Sequence, residues 1–136
     1  MNANNEGGGE VPPDVIYKII LIGKERVGKT SITKQFVKGQ FDEKEESSKV
    51  CSLYTKRIHI EDTDDTCAEL QIWDTLGQEK FKSMGALFYK ESHGAFIVFD
   101  LSNRQSFADL PSWVTTLTDV LGENVIIVLL GNCCDK

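Results

Sequence analysis

The sequence predicts an α/β fold, a three-layer α/β/α sandwich whose mainly parallel sheet carries one antiparallel hairpin strand. Three observations point there. From Val15 onward, short apolar runs alternate with stretches of helical spacing, which is the pattern of βαβ units. A chain of 136 residues accommodates about one domain. A content of 40% hydrophobic and 26% charged residues supplies enough apolar surface for a core and excludes disorder throughout.

Each element follows in order. Residues 1–14, rich in Asn and Gly and closed by Pro12 and Pro13, read as a flexible tail, and the domain runs over 15–136. Val15 to Ile22 is a buried strand, Gly23 to Gly28 a glycine-bounded loop, and Lys29 to Val37 a helix with Ile32, Phe36 and Val37 on one face. Phe41 to Val50 is polar and has neither helical nor strand period, so a mobile loop is expected. Tyr54 to Ile60 and Cys67 to Trp73 flank a polar tip and read as a hairpin. Ala95 to Asp100 and Val125 to Leu130 are apolar without alternation, as in strands covered on both faces. Between them Phe107, Leu110, Val114, Leu117 and Leu121 recur at helical spacing. Pro111 predicts either a kink there or a main helix that begins near Asp109. Trp113 and Phe107 read as core. His93 reads as a loop or helix-end residue, and His59 as facing solvent beside Arg57.

Charge narrows the function. The net charge is −6, the wrong sign for a binder that grips nucleic acid by neutralising phosphates, so no nucleic-acid partner is expected. The acidity is local: segments 42–50 and 61–69 carry −2 and −5, leaving +1 for the remainder. The tip Glu61–Asp65 lacks the spacing of a Ca²⁺ loop and reads as solvated. Cys51, Cys67, Cys133 and Cys134 form no C-x-x-C pair, so reduced thiols in a cytoplasmic protein are expected. Residue 2 is Asn rather than the Gly of a myristoylation signal, and no apolar run reaches membrane-spanning length.

The chemistry begins at Gly23-Lys24-Glu25-Arg26-Val27-Gly28-Lys29-Thr30. It matches G-x-x-x-x-G-K-[ST] and lies between a predicted strand and a predicted helix, the context a phosphate-binding P-loop requires. Its glycines let backbone amides approach phosphate oxygens, and the helix N-terminus adds positive potential. Lys29 reaches the β- and γ-phosphates, and the Thr30 hydroxyl can ligate Mg²⁺. A second strand must supply an acid for the metal, and Leu70-Gln71-Ile72-Trp73-Asp74 places Asp74 at a strand end.

The P-loop, then Trp73-Asp74-Thr75-Leu76-Gly77-Gln78-Glu79, then Gly131-Asn132-Cys133-Cys134-Asp135 after an apolar strand, together resemble the Ras-like small GTPases. IWDTLGQEKF and the later FYKESHGAFIVFD look most like the Rab branch. The resemblance implies a P-loop NTPase domain that binds GTP/GDP with Mg²⁺. Gly23, Glu25, Arg26, Val27 and Gly28 would wrap the phosphates, while Lys29, Thr30 and Ser31 open the helix behind them. Thr30, Ser48 and Asp74 would serve the metal, and the Gly77 amide would sense the γ-phosphate. Gln78 would orient the attacking water with Lys29 as its catalytic companion. Phe41 would lie against the guanine, Asn132 would tie the base loop to the P-loop, and a buried Asp135 would accept the guanine N1 and N2 hydrogens. Effector and regulator proteins would read segments 41–50 and 77–88 as the nucleotide changes, in vesicle traffic.

Departures from the family pattern bear on mechanism. Glu25 brings a carboxylate toward the phosphates, Leu76 adds a branched side chain beside the metal, and Cys133 stands where the family carries Lys. Glu45 falls where a phosphate-covering Tyr is common, and Lys49-Val50 replaces Ile-Gly. Relatives continue past Asp135 with another strand, a helix and a lipid-bearing tail, so a G domain lacking its last strand and helix is expected, with an exposed apolar sheet edge and no lipid anchor of its own. Any contact with endomembranes would then be peripheral, through partners. Two functional readings follow: a GTP-hydrolysing switch, or a degenerate GTPase acting as a binding module. A P-loop kinase or ATPase is disfavoured by the base motif.

Overall fold

The computed structural model describes residues 11–63, 65–77 and 82–136, with the backbone alone for 82–85. Five strands form one sheet: β1 (Val15–Ile22), β2 (Ser52–His59), β3 (Cys67–Asp74), β4 (Gly94–Asp100) and β5 (Ile126–Asn132). Helices α1 (Lys29–Lys38), α2 (Lys82–Tyr89), α3 (Arg104–Ala108) and α4 (Leu110–Leu121) connect them. The strand order is β2-β3-β1-β4-β5, antiparallel only between β2 and β3. This is the α/β architecture of a P-loop NTPase. Among the described residues no helix is long and apolar enough to cross a membrane.

Alternation along β1 divides the core. Ile20 and Ile22 join Tyr89, Ile97, Leu110, Trp113 and Leu117 on one face, while Leu21 meets Val27, Ile72 and Val98 on the other, with Ile32 and Val37 of α1 packed against them. A strand buried on both faces needs helices on both, which is why the apolar runs lack a polar period. β4 obeys this. β5 does not: Ile126 and Leu129 are more than half exposed, and among the described residues β5 pairs with β4 alone. The expectation of a strand covered on both faces is corrected there.

Other local expectations are also refined. Phe36 is exposed, not on the inner face of α1; the Lys56 ammonium lies 4.8 Å above its ring and donates to its carbonyl at 2.6 Å. Thr33 takes the inner position, its hydroxyl bonded to the Lys29 carbonyl at 2.9 Å. Pro111 sits in the first turn of α4, where a missing amide costs nothing, so no kink is needed. Phe107 belongs to the separate short α3 and is exposed, leaning edge-on against Phe99, whereas Trp113 is core. Asp14, read as the end of the tail, is tied to β3 through paired bonds with Cys67. His93 precedes β4, its ring Nδ1 accepting from the Lys18 amide.

The carboxyl ends of β1, β3, β4 and β5 lie along one edge, with Leu21 beside Asp74, Ile22 beside Ile97 and Asp100 beside Asn132. From β1 the chain runs to β2 and β3 on one side, and from β3 it crosses back to β4 on the other. In open α/β sheets that reversal opens a crevice at the strand ends, the place where ligands bind.

Candidate functional site

A cavity of about 660 Å³ fills this crevice, a size suited to a small-molecule ligand. Glu25, Arg26, Gly28, Lys29, Thr30 and Ser31 line one wall, residues 41–43 and 45–49 a second, and Thr75, Gly77, Asn132, Cys133, Asp135 and Lys136 the rest. The motifs of four separate segments therefore meet around one space.

Its floor is the P-loop. Gly28 has φ of 98°, in the left-handed region, and a Cβ there would fall 2.2 Å from the Asn132 amide nitrogen, so both conformation and space demand glycine. Lys29 is only 6% exposed and donates to the carbonyls of Gly23 at 3.1 Å and Lys24 at 2.8 Å. Burial lowers its pKa to about 8, with Asp74 and Glu25 pulling in the opposite direction. A desolvated ammonium held against backbone carbonyls is poised for an anion that would neutralise it. Val27 contributes its carbonyl; its side chain is core.

A second group of oxygens stands at the end of β3. Thr30 Oγ1 donates to Asp74 Oδ2 at 2.5 Å and lies 2.5 Å from Ser48 Oγ, which reaches the same carboxylate oxygen at 3.4 Å. Asp74 is 1% exposed, and its Oδ1 has no hydrogen-bond partner among the described residues. Burial raises its pKa, while the Thr30 bond and Lys29 oppose the rise. A buried carboxylate with one unpaired oxygen beside two hydroxyls is a hard-oxygen set that fits Mg²⁺, an ion that takes few protein ligands and leaves the rest to water and phosphate. Among the described residues no cluster of three or more His, Cys, Asp or Glu side chains suited to a metal occurs, here or elsewhere.

Gly77 closes over the P-loop. A Cβ on it would meet the Glu25 amide nitrogen and Lys29 Nζ, each at 2.5 Å, so the backbone approach itself requires glycine. Leu76, expected to crowd the metal, does not line the cavity; Thr75 and Gly77 on either side of it do. No local pattern marks Thr75, whose hydroxyl donates to the Leu21 carbonyl at 2.6 Å and fastens this segment to β1. Gln78 lies outside the described residues.

At the end of β5 the Asn132 amide donates to the Val27 carbonyl at 2.9 Å, joining the β5 loop to the P-loop. Cys133, at φ of 60°, directs its thiol toward the same carbonyl at 3.9 Å, and burial raises its pKa. Asp135 lines the cavity but is exposed, not buried as the resemblance implied, and Phe41 is 66% exposed on the facing loop. Lys136, also unanticipated, lines the rim and pairs with Asp100 Oδ2 at 3.4 Å. Glu25 is exposed at the cavity wall. Arg26 turns from it to donate to Ser47 Oγ at 3.3 Å. Glu45 is drawn to Lys34 at 2.7 Å, a pairing between a loop and a helix that no local spacing announces.

The family model described as the Ras family matches residues 18–136, which includes every segment lining this cavity. The chain belongs to the Ras family of small GTPases.

Proposed function

We propose, with membership of the Ras family as the premise, that this chain is a Rab-like switch that binds GTP and GDP with Mg²⁺, hydrolyses GTP and works in vesicle traffic. The observation that carries the nucleotide reading is the meeting of Lys29, Thr30 and Ser48 with Asn132 and Asp135 around a single cavity, with Asp74 bonded to the two hydroxyls. The Rab assignment is supported by IWDTLGQEKF and FYKESHGAFIVFD. A cytoplasmic location, with endomembranes reached through partners that read 41–50 and 77–88, belongs to the same proposal.

In this reading the P-loop amides and the charged form of Lys29 hold the β- and γ-phosphates and stabilise charge that develops between them. Thr30, Ser48 and Asp74 would hold Mg²⁺, which would neutralise phosphate oxygens. Gln78 orients the attacking water. Asp135 accepts hydrogen bonds that guanine offers and adenine does not; leaving that carboxylate desolvated and unpaired costs about 1–3 kcal/mol.

Glu25 at the cavity wall favours a second reading, a nucleotide-binding module without turnover, because its charge opposes a γ-phosphate. Phosphate release with GTP or ATP and Mg²⁺ separates the two. Release from GTP alone, abolished in Gln78→Leu, supports the switch. Release unchanged in Gln78→Leu overturns the hydrolytic mechanism, and GTP binding without release establishes the module.

A further inference from the structure

One charged pair beside the cavity has no part in the phosphate, metal or base contacts described above. Lys34 lies on α1 one turn beyond Thr30 and so on the same side of the helix. Its Nζ donates to both carboxylate oxygens of Glu45, at 2.8 and 2.7 Å, with the side chains only 32% and 22% exposed. The pairing turns a carboxylate in the cavity wall toward a cation outside it. Glu45 is also fixed by the shape of its own loop: its amide donates to the Asp42 carbonyl at 3.1 Å, and the Lys44 amide to the Asp42 side chain at 2.9 Å. Three residues later Ser48 meets Thr30 and Asp74, and between them Ser47 accepts from Arg26 at 3.3 Å. Loop 41–50 is thus pinned to the P-loop, to the metal corner and to α1. Among the described residues, the bond to α1 is the only one of these three that joins two full charges.

We propose that the Lys34–Glu45 ion pair is a latch: it positions Ser48 at the metal corner, slows nucleotide release and makes release faster as salt rises. The proposal rests on the guanine-nucleotide reading of the cavity. Salt screens a partly exposed ion pair and leaves the hydroxyl contacts of Ser47 and Ser48 nearly untouched, so the latch is the salt-sensitive member of the set. Lys34 and Glu45 act as positioning residues through Ser48, not on the phosphates themselves. Simple electrostatics gives the opposite sign for one variant. If Glu45 did nothing but repel the nucleotide, neutralising it would slow release; as part of a latch, neutralising it speeds release.

The test follows release of a fluorescent GDP analogue from the full chain in Mg²⁺, chased with unlabelled GDP, for wild type, Glu45→Gln, Lys34→Met and the conservative Lys34→Arg. Glu45→Gln and Lys34→Met are expected to release about threefold faster, the scale of a partly exposed pair, with Lys34→Arg close to wild type. Raising salt from about 0.05 to about 0.5 M accelerates wild type and Lys34→Arg more than the two broken-pair variants. Slower release from Glu45→Gln, or equal salt dependence in all four proteins, overturns the latch. Amide exchange over residues 42–48, measured without nucleotide, is the second arm. Faster exchange in both broken-pair variants and wild-type exchange in Lys34→Arg supports the latch, and identical exchange in all four overturns it. Failure of the analogue to bind sinks the nucleotide reading instead, and amide exchange alone then decides the latch.

Discussion

The two ends of the cavity are built differently. At the end proposed to take phosphate, Lys29 is 6% and Asp74 1% exposed, and both are held by hydrogen bonds within the fold. At the base end, Phe41 is 66% exposed and Asp135 stands open at the rim. The first end has its charges desolvated by the fold, at a cost to the fold; the second leaves desolvation to the ligand. Substitutions at the phosphate end are therefore expected to change stability and binding together, and substitutions at the base end to change binding alone.

The largest effect that sharpens this contrast is Lys29→Ala. Loss of an ammonium with charge-assisted bonds to phosphate is expected to weaken GDP binding about a hundredfold, read by calorimetry. A loss confined to a few-fold would place the phosphates elsewhere. Next is Asp135→Ala, expected to weaken GDP binding about tenfold and erase much of the preference for GDP over ADP. Thermal unfolding of the ligand-free Asp135→Ala chain should match wild type; a clear drop in Tm would break the comparison.

Titration of Lys29 gives an effect of about tenfold. Its pKa lies near 8 in the folded chain against an ordinary 10.5. Between these values the unfolded chain holds a proton that the folded chain has lost. The cost of burying the charge is thus full below about pH 8 and fades as pH rises toward 10.5. Phosphate needs the charged form, so GDP affinity is expected to fall about tenfold between pH 7 and pH 9. A flat profile would contradict the placement of this ammonium.

The smallest effect is on stability. Asp74 has a raised pKa, chiefly from burial, so its ionised form costs stability that increases as pH rises from the ordinary carboxylate range to the raised value and persists at neutral pH. Asp74→Asn keeps an acceptor for Thr30 and removes the charge. It is expected to raise Tm in the absence of nucleotide and Mg²⁺ while abolishing the gain in GDP affinity that Mg²⁺ brings. A lower Tm would show that the carboxylate is not a burden on the empty fold.

The same contrast governs what could be read from sequence. The placement of Lys29, Thr30 and Asp74 was legible because it is bound to local pattern: a strand, glycines at fixed spacing, a helix start and a strand end. Strand β1 was legible to the residue for the same reason. Contacts set by loops were not. Burial of Asp135 was expected and its exposure found; the Lys34–Glu45 pair joins a helix to an irregular loop across 11 positions. Leu76 does not line the cavity, whereas its neighbours Thr75 and Gly77 do. Phe36 and Phe107 fit an apolar face by periodicity but are exposed; Lys56 stacks over the first, and the second lies on the separate short α3.

The most direct test is a calorimetric titration of the full chain with GDP, with and without Mg²⁺, and with ATP as control. One cavity with a phosphate end ready for an anion and metal, and a base end completed by guanine, predicts one-site GDP binding, tighter with Mg²⁺, and little affinity for ATP. No GDP binding at high micromolar concentration, or equal binding of ATP, would contradict it.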